Sequence, residues 1–183
     1  SMGDIGTHAE NLAEYITGLK ISEMCADLSI FVPGRKLDDD GNVLLRFENG
    51  AKGVLHASQI CNGEENNLNI RVYGEKGGIA WRQMEPNTLT VIYQDKPSTI
   101  YRTGWAGLER EAMAHTRIPA GHPEGYLEAF ANIYRNFAFC IQARLSGEEV
   151  DPLYTDFPSI EDGLRGMNFV EKVVASKGEW IKM

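Results

Sequence analysis

The hydrophobic pattern near the start of the chain has a helical period. Apolar residues recur there every three or four positions, at Ala9, Leu12, Ala13 and Ile16. This spacing predicts an amphipathic helix over 9–19. Glu10 and Glu14 fall outside the apolar stripe, and Gly18 is placed to end the helix.

The next stretch of the chain has strand character. Seven segments have this pattern: 22–31, 42–48, 51–61, 66–75, 78–83, 88–94 and 98–102. In 67–73 the apolar residues occupy every second position, as in a sheet with one face on a core and the other facing solvent or a partner. Asn49-Gly50 predicts a type I′ hairpin, because both residues accept positive φ. Short turns between successive strands favour antiparallel pairing.

The segment 104–125 has no regular period. Loops of about 20 residues inside a compact domain are usually functional or disordered, and aromatic and histidine residues are unusual in a disordered linker. We therefore interpret this segment as a lid or a pocket wall.

Two more helices are predicted in the last third of the chain. The first begins after His122-Pro123-Glu124-Gly125, where a proline and an acidic residue suit a helix N-terminus. Its apolar stripe consists of Leu127, Phe130, Tyr134, Phe137, Ile141 and Leu145. The second begins at Ser159, with Asp162 completing a capping box. Its stripe consists of Leu164, Met167, Val170 and Val174. We expect all three helical stripes to lie in the core, and a short strand to follow at 180–181.

These elements predict an α+β fold in a single domain spanning 1–183. The expected sheet is open and predominantly antiparallel, with helices packed on one face. Its other face is then available for oligomerisation.

Composition narrows the class of partner. The formal net charge of −8 argues against nucleic acid or an anionic membrane as a partner, since basic patches bind both. The apolar runs fall short of a membrane span, and the polar, acidic N-terminus does not resemble a signal peptide. The three cysteines have no metal-ligand spacing, so we expect no metal site and a reducing, cytoplasmic location. Asp38-Asp39-Asp40 beside Gly41 is interpreted as a solvated turn.

Several catalytic motifs are missing from the sequence. It contains no phosphate-binding GxxxxGK[ST], no GxSxG nucleophile turn, no HExxH and no strand leading into GxGxxG. What remains is an acid and an imidazole four residues apart, Asp4 and His8, at the start of the first helix.

The Asp4–His8 pair has two interpretations. A histidine with a pKa near neutrality can accept or return a proton in alcohol oxidation, and a neighbouring carboxylate can orient its ring. Alternatively, Asp4 is a helix cap and His8 a half-buried packing residue. Two fixed residues arise often by chance, so spacing alone favours the second interpretation.

A resemblance covers essentially the whole chain. The start, Gly3-Asp4-Ile5-Gly6-Thr7-His8, is similar to the beginning of the C-terminal domain in the glucose–fructose oxidoreductase / inositol dehydrogenase (Gfo/Idh/MocA) family. The stretches 70–77, 121–126 and 159–164 match in the same order.

The resemblance implies an NAD(P)-dependent dehydrogenase that acts on a sugar, a sugar derivative or a cyclitol. It implies that His8 and Asp4 are the catalytic pair, and that NAD or NADP is bound mainly by an N-terminal Rossmann domain that this chain does not contain. The Glu-Lys-Pro motif, which supplies a lysine to the family's active site, is also absent. We therefore expect no cofactor-binding residues here and an inactive isolated chain.

Four residues are candidates for substrate contact. His122 lies in a Gly-His-Pro-Glu-Gly segment similar to that of sugar dehydrogenases, and Trp105, Arg117 and Gln59 are further candidates. Three of them also have a structural interpretation: His122 as a neighbour of a helix cap, Trp105 as a cover for the core, and Gln59 as a solvent-facing residue.

Two functional hypotheses follow. In the first, the chain is the catalytic and substrate-binding domain of a dehydrogenase with a small-molecule sugar or polyol as substrate. In the second, it is a non-catalytic carbohydrate-binding or oligomerisation module. In both, the open sheet face is expected to form a homo-oligomer, a dimer or a tetramer.

Overall fold

The computed structural model describes all 183 residues, which form two compact units. The first unit consists of 1–66 and 159–183, and the second of 67–158. The fold is α+β, and every strand pairing is antiparallel, as predicted. The strands form two separate open sheets of four strands each.

The first unit has helical segments near both of its ends. Its elements are a π-helical turn (Met2–Gly6), α1 (Thr7–Thr17), β1 (Ile21–Ser29), β2 (Asp40–Phe47), β3 (Lys52–Ser58), α4 (Ile160–Ser176) and β8 (Ile181–Lys182). The sheet order is β3-β2-β1-β8. Gly18 ends α1 in the left-handed conformation, with φ 67°, which agrees with the prediction.

The core of the first unit follows from strand alternation. In β2 the residues Val43, Leu45 and Phe47 are buried, whereas the intervening side chains are exposed. Register places Ala26 of β1 and Leu55 of β3 on either side of Val43, so one buried row crosses three strands. Phe169 and Val173 of α4, with Met2, complete this core.

The hairpin between β2 and β3 is not the predicted type I′ turn. Its loop has three residues: the Gly50 amide donates to the Phe47 carbonyl (2.9 Å), and the Phe47 amide donates to the Ala51 carbonyl (2.9 Å). Gly50 has φ 87°, whereas Asn49 has an ordinary negative φ. A three-residue loop needs positive φ only at its last position, and Gly50 supplies it.

The second unit contains the other sheet and the longest helix. Its elements are β4 (Asn69–Gly74), β5 (Gly77–Arg82), β6 (Thr88–Tyr93), β7 (Thr99–Arg102), α2 (Arg110–Ala114), α3 (Tyr126–Ser146) and a 3₁₀ turn (Pro152–Tyr154). The sheet order is β4-β5-β6-β7. The five-residue helix α2 lies within the segment 104–125, which has no detectable period in sequence.

The prediction that the helical stripes are core is wrong for much of their length. All six stripe residues of α3 are exposed, from Ile141 at 44% to Leu145 at 82%, and its two buried residues are Asn132 and Asn136. The buried residues of α4 are Phe169, Val173 and Ser176, a face offset from the predicted one. In α1 the buried residues are Glu10 and Glu14, which were outside the predicted stripe.

Glu14 is buried because it binds two other elements. Its carboxylate receives two hydrogen bonds from the Arg165 guanidinium of α4 (2.5 and 2.6 Å) and one from the Ile21 amide at the start of β1 (2.8 Å). Lys20 donates a further bond (2.9 Å). Burial by itself raises the pKa of Glu14, but these hydrogen bonds outweigh burial and lower that pKa below its ordinary value. The bonds therefore join α1, β1 and α4.

Glu10 lies one turn before Glu14 and is only 2% exposed. Burial, followed by repulsion from the Glu14 carboxylate, raises its pKa from 4.5 to about 7. The folded state therefore holds a proton on Glu10 at pH values where the unfolded chain has released it.

Removing the charge of Glu14 should destabilise the first unit. Glu14→Gln leaves the Arg165 guanidinium, 25% exposed, without its carboxylate, and we expect a loss of about 3 kcal/mol in the free energy of unfolding. The matched control is Glu23→Gln, which breaks the exposed pair with Arg46 and should cost about 1 kcal/mol or less. Urea denaturation of this chain measures both values, and equal costs would contradict the structural role of Glu14.

Stability should fall as the pH rises through the titration of Glu10. The folded state binds more protons than the unfolded state between pH 4.5 and about 7, so the stabilising contribution present below pH 4.5 is lost across this window. Glu10→Gln should match the unmodified chain at pH 4 and exceed its free energy of unfolding by up to about 3 kcal/mol at pH 8. Glu171→Gln, an exposed change on α4, controls for the loss of one negative charge. A Glu10→Gln difference that does not vary with pH would contradict this prediction.

Candidate functional site

Asp4 and His8 lie on one continuous helical path. Asp4 belongs to the turn Met2–Gly6, and His8 lies in the first turn of α1, which follows without a break. Residues four apart on a helix share a face, and both side chains are exposed. The structure therefore presents the acid and the imidazole from one surface of the first unit.

The Asp4 carboxylate has a fixed partner in Gln59. The Gln59 side chain lies just beyond β3, and its Nε2 donates to Oδ2 of Asp4 at 3.0 Å. No hydrogen bond joins Asp4 to His8, and the His8 ring has no hydrogen-bond partner. Gln59 is therefore an exposed residue that also contacts Asp4, and the imidazole is free to receive a ligand.

The acidic triplet supports this surface, and its interpretation as a solvated turn is wrong. The Asp38 carboxylate accepts a hydrogen bond from the Met2 amide (2.7 Å), at the start of the turn that carries Asp4. Asp39 is only 1% exposed, and its carbonyl accepts a hydrogen bond from the Gln59 amide (2.8 Å). Asp40 begins β2. Backbone amides that need acceptors thus draw these carboxylates and carbonyls inward.

Asp39 also organises the segment after β1. Its carboxylate accepts hydrogen bonds from the amides of Phe31 (2.8 Å) and Val32 (2.9 Å). These bonds, that of Phe31 first, hold the pKa of Asp39 below its ordinary value. The carboxylate therefore stays ionised at neutral pH.

Gly41 allows Met2 to approach the sheet closely. A Cβ at position 41 would overlap the Met2 side chain and come within 2.8 Å of Leu28 Cδ2. Met2 is fully buried at this point, which fixes the turn bearing Asp4 against β2. A larger residue at 41 would displace the ends of the Met2 and Leu28 side chains.

The other three substrate-contact candidates lie in the second unit. Trp105 is 57% exposed, and Arg117 and His122 are exposed as well. Gln59 is the one such candidate in the unit that carries Asp4 and His8. The structure thus brings Gln59 to Asp4, and it places Arg117 and His122 on one segment of the second unit.

Glu124 fixes the segment between Arg117 and His122. Oε2 of Glu124 accepts hydrogen bonds from the backbone amides of Arg117 (3.0 Å) and Ile118 (3.1 Å). His122 Nδ1 lies 3.2 Å from the Pro119 carbonyl oxygen, which can only accept. Nδ1 therefore carries the proton in this arrangement, and Nε2 is left as an acceptor.

His115 attaches the same segment to α3. The Asn132 amide donates to the His115 carbonyl (2.7 Å), and the Asn136 amide donates to His115 Nε2 (3.3 Å). This assignment requires the proton on Nδ1, which lies 2.8 Å from the Glu111 carbonyl. The Oδ1 atoms of both asparagines are buried without a partner. A cavity of about 310 Å³ lies beside these residues, with Asn87, Thr103 and Glu124 in its wall.

Sequence reasoning missed several of these residues. It treated Glu124 only as an acidic residue at a helix N-terminus, and it gave no role to Asn87. A signal existed for Asn132 and Asn136, since two asparagines four residues apart lie on one face of a helix rich in apolar residues. No group of three or more His, Cys, Asp or Glu side chains is placed to hold a metal ion. No helix is both long and apolar enough to cross a bilayer.

The chain is similar in sequence to known oxidoreductases. Residues 1–80 match the family model for the GFO/IDH/MocA C-terminal domain. An uncharacterized oxidoreductase of Bacillus subtilis, YfiI, is 34% identical over 186 residues, which covers 99% of this chain and 47% of the relative.

Solved structures give the same result. An oxidoreductase from Sinorhizobium meliloti is 47% identical with a TM-score of 0.94, covering 100% of this chain and 52% of the other. An inositol dehydrogenase homolog from Azotobacter vinelandii, solved with NADH and myo-inositol, is 31% identical with a TM-score of 0.89, covering 98% of this chain and 49% of the other.

The chain spans about half the length of the relatives it matches. The part it matches is their C-terminal half. Residues 1–80 therefore belong to a C-terminal domain of the GFO/IDH/MocA family, and the whole chain is similar to the C-terminal half of oxidoreductases.

Proposed function

We propose that this chain is the catalytic and substrate-binding domain of an NAD(P)-dependent dehydrogenase acting on a hydroxyl group of a sugar, a sugar derivative or a cyclitol. The observation that carries the proposal is the exposed Asp4–His8 pair on one helical face, within residues 1–80 that match this family. The complex of the Azotobacter vinelandii homolog with NADH and myo-inositol supports the cofactor and the substrate class.

His8 acts as the acid–base group. When the substrate hydroxyl is oxidised, its carbon–hydrogen bond breaks with both electrons and its oxygen gives up a proton. The nicotinamide, when bound, supplies the acceptor for those two electrons and the hydrogen. A nitrogen of His8 takes the hydroxyl proton, and in the reverse direction returns it to the carbonyl oxygen. An imidazole is suited to both steps because it titrates near neutral pH.

Asp4 is the second member of the proposed catalytic pair. Its carboxylate lies one turn away on the same helical face, and the amide of Gln59 restrains its position (3.0 Å). A carboxylate with one oxygen bonded to Gln59 keeps acceptor capacity for a substrate hydroxyl. Asp4 therefore orients either the imidazole or the substrate.

The residues of this chain do not fit a dinucleotide site of the Rossmann type. Such a site needs parallel strands joined by a helix that begins at a glycine-rich turn, and every strand pairing here is antiparallel. NAD or NADP is then bound mainly by a different domain of the enzyme, and this chain by itself is inactive.

Polar and aromatic side chains of the second unit are suited to bind a sugar or a cyclitol. Nε2 of His122 is an acceptor for a hydroxyl proton. Arg117 supplies guanidinium donors, and Trp105 offers an exposed ring to the apolar face of a sugar. In the first unit, Gln59 contributes an amide beside Asp4.

Loss of His8 should reduce turnover far more than substrate affinity. His8→Ala in the complete enzyme should lower kcat about 10²–10⁴-fold, since it removes the proton acceptor. His56→Ala, which removes an exposed histidine of β3 paired with Asp40, is the control and should leave kcat within about twofold. Steady-state kinetics with NAD or NADP and a panel of sugars and cyclitols measures both. Unchanged kcat in His8→Ala would refute the assignment.

We also propose that the second sheet forms a homo-oligomer with another copy of the chain. Register aligns the apolar side chains of one sheet face: Ile70, Val72, Ile79, Trp81, Leu89 and Val91. None of these six side chains is buried, and the second unit contains no buried apolar residue at all. An apolar face of this kind is stabilised when an identical face covers it, as in a twofold dimer.

A charge on this face should dissociate the oligomer. Val91→Lys places an ammonium on the apolar face, and Thr90→Lys places it on the opposite face of the same strand. Light scattering after size exclusion should give a multiple of 20.4 kDa for the chain and for Thr90→Lys, and the monomer mass for Val91→Lys. Circular dichroism verifies that both variants fold. A monomeric unmodified chain would contradict the proposal.

A further inference from the structure

We infer that Glu124 and Asn87 are positioning residues that hold Arg117 and His122 in place for the substrate. The inference rests on the proposed function, because it concerns how the proposed substrate contacts are held. Neither Glu124 nor Asn87 needs to contact the substrate for this role. Together with Thr103, these two residues form what we call the Glu124 clamp.

The Glu124 carboxylate is bound by backbone amides alone. It is half-buried, has no ion pair, and accepts hydrogen bonds from the consecutive amides of Arg117 and Ile118 at 3.0 and 3.1 Å. Consecutive amides that point at one oxygen form a small anion-binding concavity. Charge-assisted bonds of this kind are stronger than bonds between neutral groups. The carboxylate therefore closes the loop from 117 to 124.

Asn87 fixes the other side of Glu124. Its Nδ2 donates to the Glu124 carbonyl (2.8 Å), and its Oδ1 accepts from the Glu124 amide (3.3 Å) and from the Thr103 hydroxyl (2.8 Å). Asn87 lies in the turn just before β6, and Thr103 follows β7, so both are attached to the second sheet. The Glu124 backbone is thus bonded to the sheet while its side chain is bonded to the loop.

This arrangement controls the geometry of His122. The His122 amide and Nδ1 both lie within hydrogen-bond distance of the Pro119 carbonyl (3.3 and 3.2 Å), inside the loop that Glu124 closes. If the loop opens, the Pro119 carbonyl moves, and the ring loses the partner that sets its tautomer. The acceptor at Nε2 then no longer has a fixed direction. The Glu124 clamp therefore acts on substrate binding, and the proton transfer at His8 does not depend on it.

Steady-state kinetics of the complete enzyme separates positioning from general destabilisation. Glu124→Ala should raise KM about tenfold and leave kcat within about threefold, because it weakens a binding contact without touching the acid–base group. Glu124→Gln keeps an acceptor oxygen without the charge and should restore most of the affinity. Glu149→Ala, an exposed glutamate after α3 with no side-chain partner, is the matched control and should not change KM.

A double-mutant cycle identifies the group through which Glu124 acts. His122→Ala alone should raise KM to a similar extent, and adding Glu124→Ala to it should produce little further increase, since the contact being positioned is already absent. Two independent and multiplicative increases in KM would overturn the inference. So would a fall in kcat with KM unchanged.

Hydrogen exchange of this chain tests the contact without any assay of activity. The amides of Arg117 and Ile118 should exchange at least about tenfold faster in Glu124→Ala, whereas the amides of β5 and β6 should not change. Unchanged exchange at 117 and 118 would overturn the inference.

An unmodified enzyme without dehydrogenase activity would refute the proposed function, and the positioning role with it. An active enzyme whose KM is unchanged in Glu124→Ala would refute the positioning role alone.

Discussion

The buried ion pair between Glu14 and Arg165 is the interaction on which the first unit depends. It joins residues 151 positions apart in the chain, and the same guanidinium donates to the Ile21 carbonyl at 2.8 Å. A buried carboxylate is unfavourable unless it is paired and fully hydrogen-bonded, and Glu14 receives donors from three neighbours. The helix that presents His8 is thereby fixed to the start of the sheet and to the last helix.

The raised pKa of Glu10 shows that the pair beside it does not stabilise a second buried carboxylate. Arg165 is close enough to satisfy one carboxylate fully, and the second carboxylate, one turn away, has its pKa raised to about 7. The buried face of the helix that carries His8 therefore contains a glutamate that still holds a proton at mildly acidic pH. At acidic pH the protonated Glu10 adds no second negative charge beside Glu14. As Glu10 ionises with rising pH, the free energy of unfolding of the first unit falls.

The candidate site is built by polar groups that satisfy backbone atoms. The Asp38 carboxylate accepts a hydrogen bond from the Met2 backbone amide, and the Asp39 carbonyl accepts one from the Gln59 backbone amide. The Glu124 carboxylate accepts hydrogen bonds from the backbone amides of Arg117 and Ile118. In each case an acidic residue fixes a segment that carries a candidate functional side chain. Together with the buried Met2 side chain, these bonds give the segments the rigidity that a substrate site needs.

The sequence by itself determined the local elements of this protein. Strand alternation and turn residues are local properties, so seven strands and three helices were predicted close to their observed bounds. The Asp4–His8 spacing and its resemblance to a known family were also visible. Residues 1–80, which carry this pattern, match the family model.

Tertiary structure decided which faces and which turns these elements use. Helical periodicity could not predict that α1 buries Glu10 and Glu14, because their partner Arg165 lies on α4, far along the chain. It could not predict that α3 buries two asparagines and exposes its apolar stripe, since that depends on the position of His115. Hydrogen bonds between distant segments have no period in sequence. Such bonds restrain Asp4 through Gln59, and they close the loop of His122 through Glu124.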